Sequence, residues 1–125
     1  MAVSSYRDLE VWKKGMQLAK SAYCLTEHFP KHEVYGLSSQ LQRAAVSIPA
    51  NIAEGHALDT TKGFLRHLSI TRGSLAELET LLTLAEQSGY CSSNATGEII
   101  FQCDELSRML SGLQKSLKRR IGRGV

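Results

Sequence analysis

The sequence contains few of the residues that characterise secreted, disulfide-linked or membrane-spanning proteins. Its 125 residues include three cysteines and two prolines, and only 6% are aromatic. The cysteines form no Cys-x-x-Cys pair, which excludes zinc ribbons and thioredoxin-type motifs and favours reduced thiols. The longest weakly polar, uncharged run, residues 44–53, is about half the length of a membrane span, and the first residues lack the apolar stretch of a secretory signal. We therefore predict a cytoplasmic protein with no membrane partner.

Positive charge is concentrated at one end of the sequence. Hydrophobic residues make up 42% and charged residues 22%, which is typical of one soluble globular domain. Residues 1–106 hold 9 Lys and Arg against 12 Asp and Glu, whereas residues 107–125 hold 6 Lys and Arg and no acid. A cationic end of this kind favours contacts with phosphates or an acidic partner, or it complements the dipole of a helix C-terminus.

Apolar residues recur at alternating spacings of three and four in four segments, which is the pattern of amphipathic helices. The predicted helices span about 6–28, 34–54, 59–88 and 94–120, and a basic tail follows over 118–125. Four helices of this length with short connectors predict an all-α fold, an antiparallel up-and-down four-helix bundle. The whole chain, residues 1–125, then forms a single domain.

The first predicted helix carries more apolar residues than one face of a bundle needs. The stripe predicted to face the core consists of Leu9, Trp12, Met16, Ala19 and Tyr23. A further apolar set on the first and third helices consists of Val11, Leu18, Ala22, Leu25, Leu65, Ile70 and Leu81. This surplus predicts a second buried face and therefore self-association, with ordinary exposed apolar residues as the alternative.

Proline and glycine mark unusual places inside two of the predicted helices. Pro49 removes a backbone donor, leaves the Ala45 carbonyl without its helical partner and predicts a kink in the second helix. Gly73 lies in the middle of the third helix, where a glycine usually lets another backbone approach closely. We therefore expect the second and third helices to approach each other around the kink.

A polar stripe runs along the second predicted helix. Asn51 and Glu54 are expected to satisfy backbone groups near Pro49 or to bind an adjacent subunit, and Arg43 is expected to pair with Glu54 or Glu77. The residues predicted to have structural or interface roles are Arg43, Ser47, Pro49, Asn51, Glu54, Gly55 and Gly73.

Motifs for catalysis and metal binding are missing from the sequence. It has no G-x-S-x-G elbow, no P-loop and no Glu-x-x-His pair of the kind found in di-iron bundles. His28 and His32 flank Pro30 and so do not share a helical turn, and His67 is alone on its helix. We predict no catalytic residues, no metal and no cofactor, and we expect that the protein is not an enzyme.

Phosphate binding has more support from the sequence than any other chemistry. Clustered cations on helix surfaces give salt-sensitive, sequence-independent affinity for nucleic acid. The candidate contacts are Lys115, Lys118, Arg119, Arg120 and Arg123, followed by Lys62 and Arg66. The low aromatic content argues against base-stacking platforms, so the predicted mechanism is electrostatic.

Three stretches of the sequence resemble a known family. They are YRDLEVW at residues 6–12, YGLSSQLQRAAVSIPANIAEG at residues 35–55 and RGSLAELET at residues 72–80. Their order and spacing over residues 6–117 resemble the bacterial 23S ribosomal RNA intervening-sequence proteins, a four-helix-bundle family that is distantly similar to accessory proteins of diversity-generating retroelements. The resemblance implies cyclic homo-oligomers, typically homopentamers. Because some members are encoded within insertions in large-subunit ribosomal RNA genes, it also suggests RNA binding.

Two functional hypotheses follow from these observations. The first is a ring-forming, non-enzymatic bundle that binds structured RNA or other nucleic acid through its basic surface, with the ring adding avidity. The second is an oligomeric scaffold or adaptor that binds another protein, for example a nucleic-acid enzyme, through the same basic end. Because both partners would be acidic, only a direct test with nucleic acid separates the two.

Overall fold

The structure is a computed structural model that describes residues 5–122. Its four α-helices are α1 (Glu10–Thr26), α2 (Leu37–Ala57), α3 (Thr61–Gln87) and α4 (Ser93–Gly122). Two short 3-10 turns, Tyr6–Asp8 and Lys31–Glu33, precede α1 and α2. No strand occurs among these residues.

The helices close into a four-membered bundle. Each helix packs against two neighbours, in the order α1, α2, α3, α4 and back to α1, and the interface between α2 and α3 is the most extensive. The short connectors make neighbouring helices antiparallel. This arrangement confirms the predicted all-α, up-and-down four-helix bundle. No helix in residues 5–122 has the length and the apolar character that crossing a membrane would require.

Several helix ends differ from the sequence prediction. Residues 6–8 form a separate 3-10 turn, in which the Ser5 hydroxyl accepts a hydrogen bond from the Arg7 amide at 3.2 Å, so α1 begins only at Glu10. Helix α4 continues to Gly122, two residues beyond its predicted end, so residues 118–122 of the predicted basic tail are helical. Arg123 lies outside the described residues.

The inward face of α1 is also different from the predicted one. Met16 and Tyr23, expected in the core, are 46% and 44% exposed. Leu18 and Ala22, assigned to the surplus set, are completely buried instead. The surplus therefore belongs largely to the main core, and Ile70 at 41% exposure is one of its few members that face outward.

Glu33 ties the two connectors at one end of the bundle together. Its Oε1 accepts a hydrogen bond from the Leu37 amide at 3.0 Å, at the start of α2. Its Oε2 accepts a hydrogen bond at 2.8 Å from the hydroxyl of Tyr90, which lies between α3 and α4. The Leu37 amide, and after it the Tyr90 hydroxyl, hold the pKa of Glu33 below its usual range.

Glu33→Gln should lower the thermal unfolding midpoint at neutral pH, because the amide side chain replaces a charge-assisted acceptor with a neutral one. A carboxylate with a lowered folded-state pKa stabilises the protein fully above the pKa of a free glutamate, and this stability is lost as the pH falls through the lowered value. The difference in midpoint should therefore shrink between about pH 7 and about pH 3. The exposed Glu27 provides the control variant Glu27→Gln. A midpoint difference for Glu33→Gln that is constant with pH would contradict this role.

Candidate nucleic-acid interface

Arg72 fixes the register between α3 and α4. Its guanidinium donates hydrogen bonds to the Ser107 carbonyl at 3.1 Å and to the Ser111 hydroxyl at 2.8 Å. Nearer the connector, the Thr96 hydroxyl donates a hydrogen bond to the Glu86 carboxylate. The two contacts agree on one antiparallel register, so residues before Arg72 on α3 lie level with residues after Ser107 on α4.

This register places the cationic start of α3 beside the cationic end of α4. Arg66, six residues before Arg72, lies at the height of Lys115, and Lys62 lies at the height of Arg119. The exposed cations that α3 and α4 contribute to this end of the bundle, which we call the cationic end, are Lys62, Arg66, Lys115, Lys118, Arg119 and Arg120. The sequence predicted each of these residues as a candidate contact but did not give the relative heights of the two groups.

The six side chains of the cationic end are available for external anions. Within residues 5–122 none of them forms an ion pair. Residues 60–72 and 107–122 contain no acid at all. Carboxylates at the same end come from other elements, and one of them, Glu10, is paired with Lys13 at 3.2 Å. The two helix segments therefore present cations that have no ion-pair partner among the described residues.

Ser47 and Asn51, in the middle of the polar stripe of α2, face α3. The Ser47 hydroxyl lies 2.6 Å from the Ser74 hydroxyl. Asn51 Nδ2 donates to the Ser47 carbonyl at 2.9 Å, and Asn51 Oδ1 lies 3.0 Å from His67 Nδ1. Asn51 therefore reaches the carbonyl of Ser47, and not that of Ala45, which Pro49 leaves without its helical partner.

His67 also lies near Glu54, whose Oε2 is 3.8 Å from Nδ1. The His67 side chain is 16% exposed, whereas that of Glu54 is 65% exposed. The histidine is thus held at the α2–α3 interface between an amide and a carboxylate. Arg43 does not join this cluster: it is exposed, and among residues 5–122 it has no ion pair with Glu54 or Glu77, so the expected pairing is not formed.

Glycines make close helix contacts, but not the predicted one. A Cβ on Gly55 would lie 2.6 Å from the Cβ of His67, so α2 and α3 meet closely there. On the α1 side, a Cβ on Gly15 would lie 3.5 Å from the backbone of Pro49. Gly73 is exposed and a Cβ there would meet nothing within 4 Å. The expectation that Gly73 brings α2 and α3 together is wrong, because Gly73 faces away from α2.

Sequence reasoning missed the partners on α3. In the sequence His67 is a lone histidine, and neither Ser74 nor Arg72 has a predicted partner, yet these three make polar contacts between helices. The available signal was the seven-residue spacing of His67 and Ser74, which puts both on one helix face. Within the described part of the chain, no group of three or more His, Cys, Asp or Glu could hold a metal ion.

A family model described as 23S rRNA-intervening sequence protein matches residues 7–112. The chain belongs to the 23S rRNA-intervening sequence protein family. This match contains the α2 stripe, its α3 partners, Lys62 and Arg66. It ends before Lys115, so the cationic end of α4 lies beyond the matched region.

A solved relative supports the fold of this family member. It is a protein of unknown function from the S23 ribosomal protein family of Bacteroides thetaiotaomicron VPI-5482, known from a crystal structure. The two sequences are 23% identical, the alignment covers 84% of this chain and 98% of that chain, and the TM-score is 0.74. At this identity the likeness shows the fold alone. No curated protein matches the chain.

Proposed function

We propose that this protein is a non-enzymatic, ring-forming bundle that binds structured RNA or other nucleic acid through its cationic end. The observation that carries the proposal is the register set by Arg72, which brings the cations of α3 and α4 to one end of the bundle without ion pairs. The family description, which refers to an intervening sequence of 23S rRNA, gives further support. No cofactor is part of the proposal.

The mechanism is neutralisation of backbone phosphates. Lysine and arginine displace counterions from the nucleic acid, so the logarithm of affinity falls by roughly 0.9 for each phosphate contact per tenfold rise in salt on a duplex. One subunit offers few contacts. A ring presents the same cationic end several times, and this multivalency raises the affinity without any new contact.

An exposed apolar patch on α1 and α2 supports self-association. Met16, Tyr23 and Val46 are 46%, 44% and 43% exposed, and Tyr23 and Val46 line one shallow groove with Arg43.

We propose a homopentamer that uses this patch. Light scattering at high salt should give about five times the 13.8 kDa of one chain, and Tyr23→Asp with Val46→Asp should reduce it. A single-chain mass for the wild type would contradict the ring.

Fluorescence anisotropy with a structured RNA and a DNA duplex over a salt series tests the nucleic-acid proposal. We expect micromolar or tighter binding at low salt, and a shallower salt dependence for a variant that ends at Leu117 and so loses Lys118, Arg119, Arg120 and Arg123. The affinity difference between RNA and DNA gives the preference. Absence of binding to either, even at low salt, would refute the proposal and favour a protein scaffold.

A further inference from the structure

Acidic and basic residues are segregated along the hairpin that α3 and α4 form. Residues 73–107 contain six acids and neither lysine nor arginine. Residues 60–72 and 108–122 contain eight Lys and Arg and no acid. Because the helices are antiparallel, both acidic segments lie toward the connector and both cationic segments lie at the cationic end. The hairpin is therefore negative in one half and positive in the other, and we call its exposed side the α3–α4 face.

The acidic half, like the cationic end, is not neutralised within one subunit. Glu79 on α3 and Asp104 on α4 lie near each other, and burial together with the charge of Asp104 raises the pKa of Glu79. Glu77 and Asp104 are exposed. Among residues 5–122 the pair of Lys14 with Glu105, at 3.2 Å on the α1 side, is the one ion pair that any acid of this half makes.

Small residues lie near the middle of the α3–α4 face. Ser69 and Gly73 on α3 and Gly112 on α4 are exposed, and a Cβ on either glycine would meet nothing within 4 Å. In the register set by Arg72, Gly73 lies near the height of Arg108, and Ser69 near that of Gly112. Small residues at these positions leave room for the backbone of another helix.

We propose that a second copy of this chain packs on the α3–α4 face, antiparallel, about a two-fold axis at the height of Gly73. The cationic half of each copy then lies on the acidic half of the other, and each contact occurs twice. Helices of 27 and 30 residues are about 40 Å long, and two of them side by side are about 20 Å wide. The face thus offers about 800 Å² per copy, the size of a standard interface.

This pairing would control the proposed nucleic-acid site. The cations that contact phosphate are the same cations that contact the second copy, so a paired protein has its cationic end covered. Nucleic acid and self-pairing are then mutually exclusive. This consequence, unlike the pairing itself, rests on the proposed function.

Sedimentation velocity at about 50 mM and about 500 mM salt tests the pairing, because salt screens the complementary halves. The mass of the wild type should be higher at low salt than at high salt. Lys115→Glu with Lys118→Glu reverses two charges of the cationic half, and Glu77→Lys with Asp104→Lys reverses two charges of the acidic half. Each double variant should pair with itself more weakly than the wild type does, and an equimolar mixture of the two should pair more strongly than either variant alone. Helical circular dichroism confirms that each variant is folded.

A wild-type mass that is unchanged between the two salt concentrations would overturn the pairing, as would a mixture that fails to associate. Adding a structured RNA at low salt separates this inference from the proposed function. Pairing of the wild type, together with no RNA binding by the weakly pairing Glu77→Lys with Asp104→Lys variant, which keeps every cation of the cationic end, supports the interface and refutes the nucleic-acid function. RNA binding by a protein that never pairs refutes the interface and leaves the function in place.

Discussion

Lys115→Glu with Lys118→Glu should weaken binding to structured RNA about a hundredfold at low salt. Both side chains are exposed near the end of α4, and the register places Lys115 beside Arg66 of α3. A charge-assisted contact contributes about 1.5 kcal/mol, and each 1.4 kcal/mol is about a factor of ten in affinity. Anisotropy titrations should also show a shallower salt dependence, because fewer counterions are released.

The matched control reverses two cations far from the cationic end. Lys20 on α1 and Lys31 in the connector before α2 are both exposed, so Lys20→Glu with Lys31→Glu changes the net charge by the same amount. If binding depends on position, this control should lose much less affinity than the α4 variant. Equal losses for the two variants would mean that net charge alone attracts the RNA, and would contradict a defined site.

Gly55→Ala should destabilise the bundle by about 2–3 kcal/mol. Gly55 is buried where α2 meets α3, and an added Cβ would lie 2.6 Å from the Cβ of His67 and 3.1 Å from the ring of Phe64. His67 is held by Asn51, so the helices must separate to relieve the clash. Overpacking of this kind typically costs 1–3 kcal/mol, which lowers the thermal midpoint by roughly 10 °C for a chain of this size.

Gly73→Ala is the matched control, since it makes the same change in the middle of an exposed stretch of helix. A Cβ there meets nothing within 4 Å, so the alanine should raise stability by about 0.5–1 kcal/mol through its better helix propensity. Thermal unfolding of both variants at one protein concentration gives the comparison. Wild-type stability for Gly55→Ala would show that α2 and α3 do not approach closely at Gly55.

The bundle could be predicted from the sequence because four long segments repeat apolar residues at spacings of three and four. The inward face of α1 could not. Two apolar stripes lie side by side on that helix, and only the packing of α2 and α4 decides that Leu18 and Ala22 are buried while Met16 and Tyr23 remain exposed. Periodicity shows that a helix has an apolar face, but when two stripes are both apolar it does not show which of them is turned toward the core.

The candidate site was predictable as a set of residues and not as a surface. Lysines and arginines near the two helix ends are visible in the sequence, and the predicted antiparallel topology already brings these ends together. Their relative heights depend on the register, which Arg72 sets through Ser107 and Ser111. The partners of the α2 stripe could not be predicted either. The sequence shows that Ser47 and Asn51 share a helix face, but only the packing of α2 on α3 makes Ser74 and His67 their partners.

Lysine footprinting tests the central claim, that the cationic end is the nucleic-acid surface, most directly. The full chain is acetylated with and without a structured RNA, at a salt concentration where sedimentation shows one species, and the modified lysines are read by mass spectrometry. We predict that RNA protects Lys62, Lys115 and Lys118 and leaves the equally exposed Lys20 and Lys31 reactive. Protection of Lys20 and Lys31 instead, or no difference between the two groups, would contradict the account.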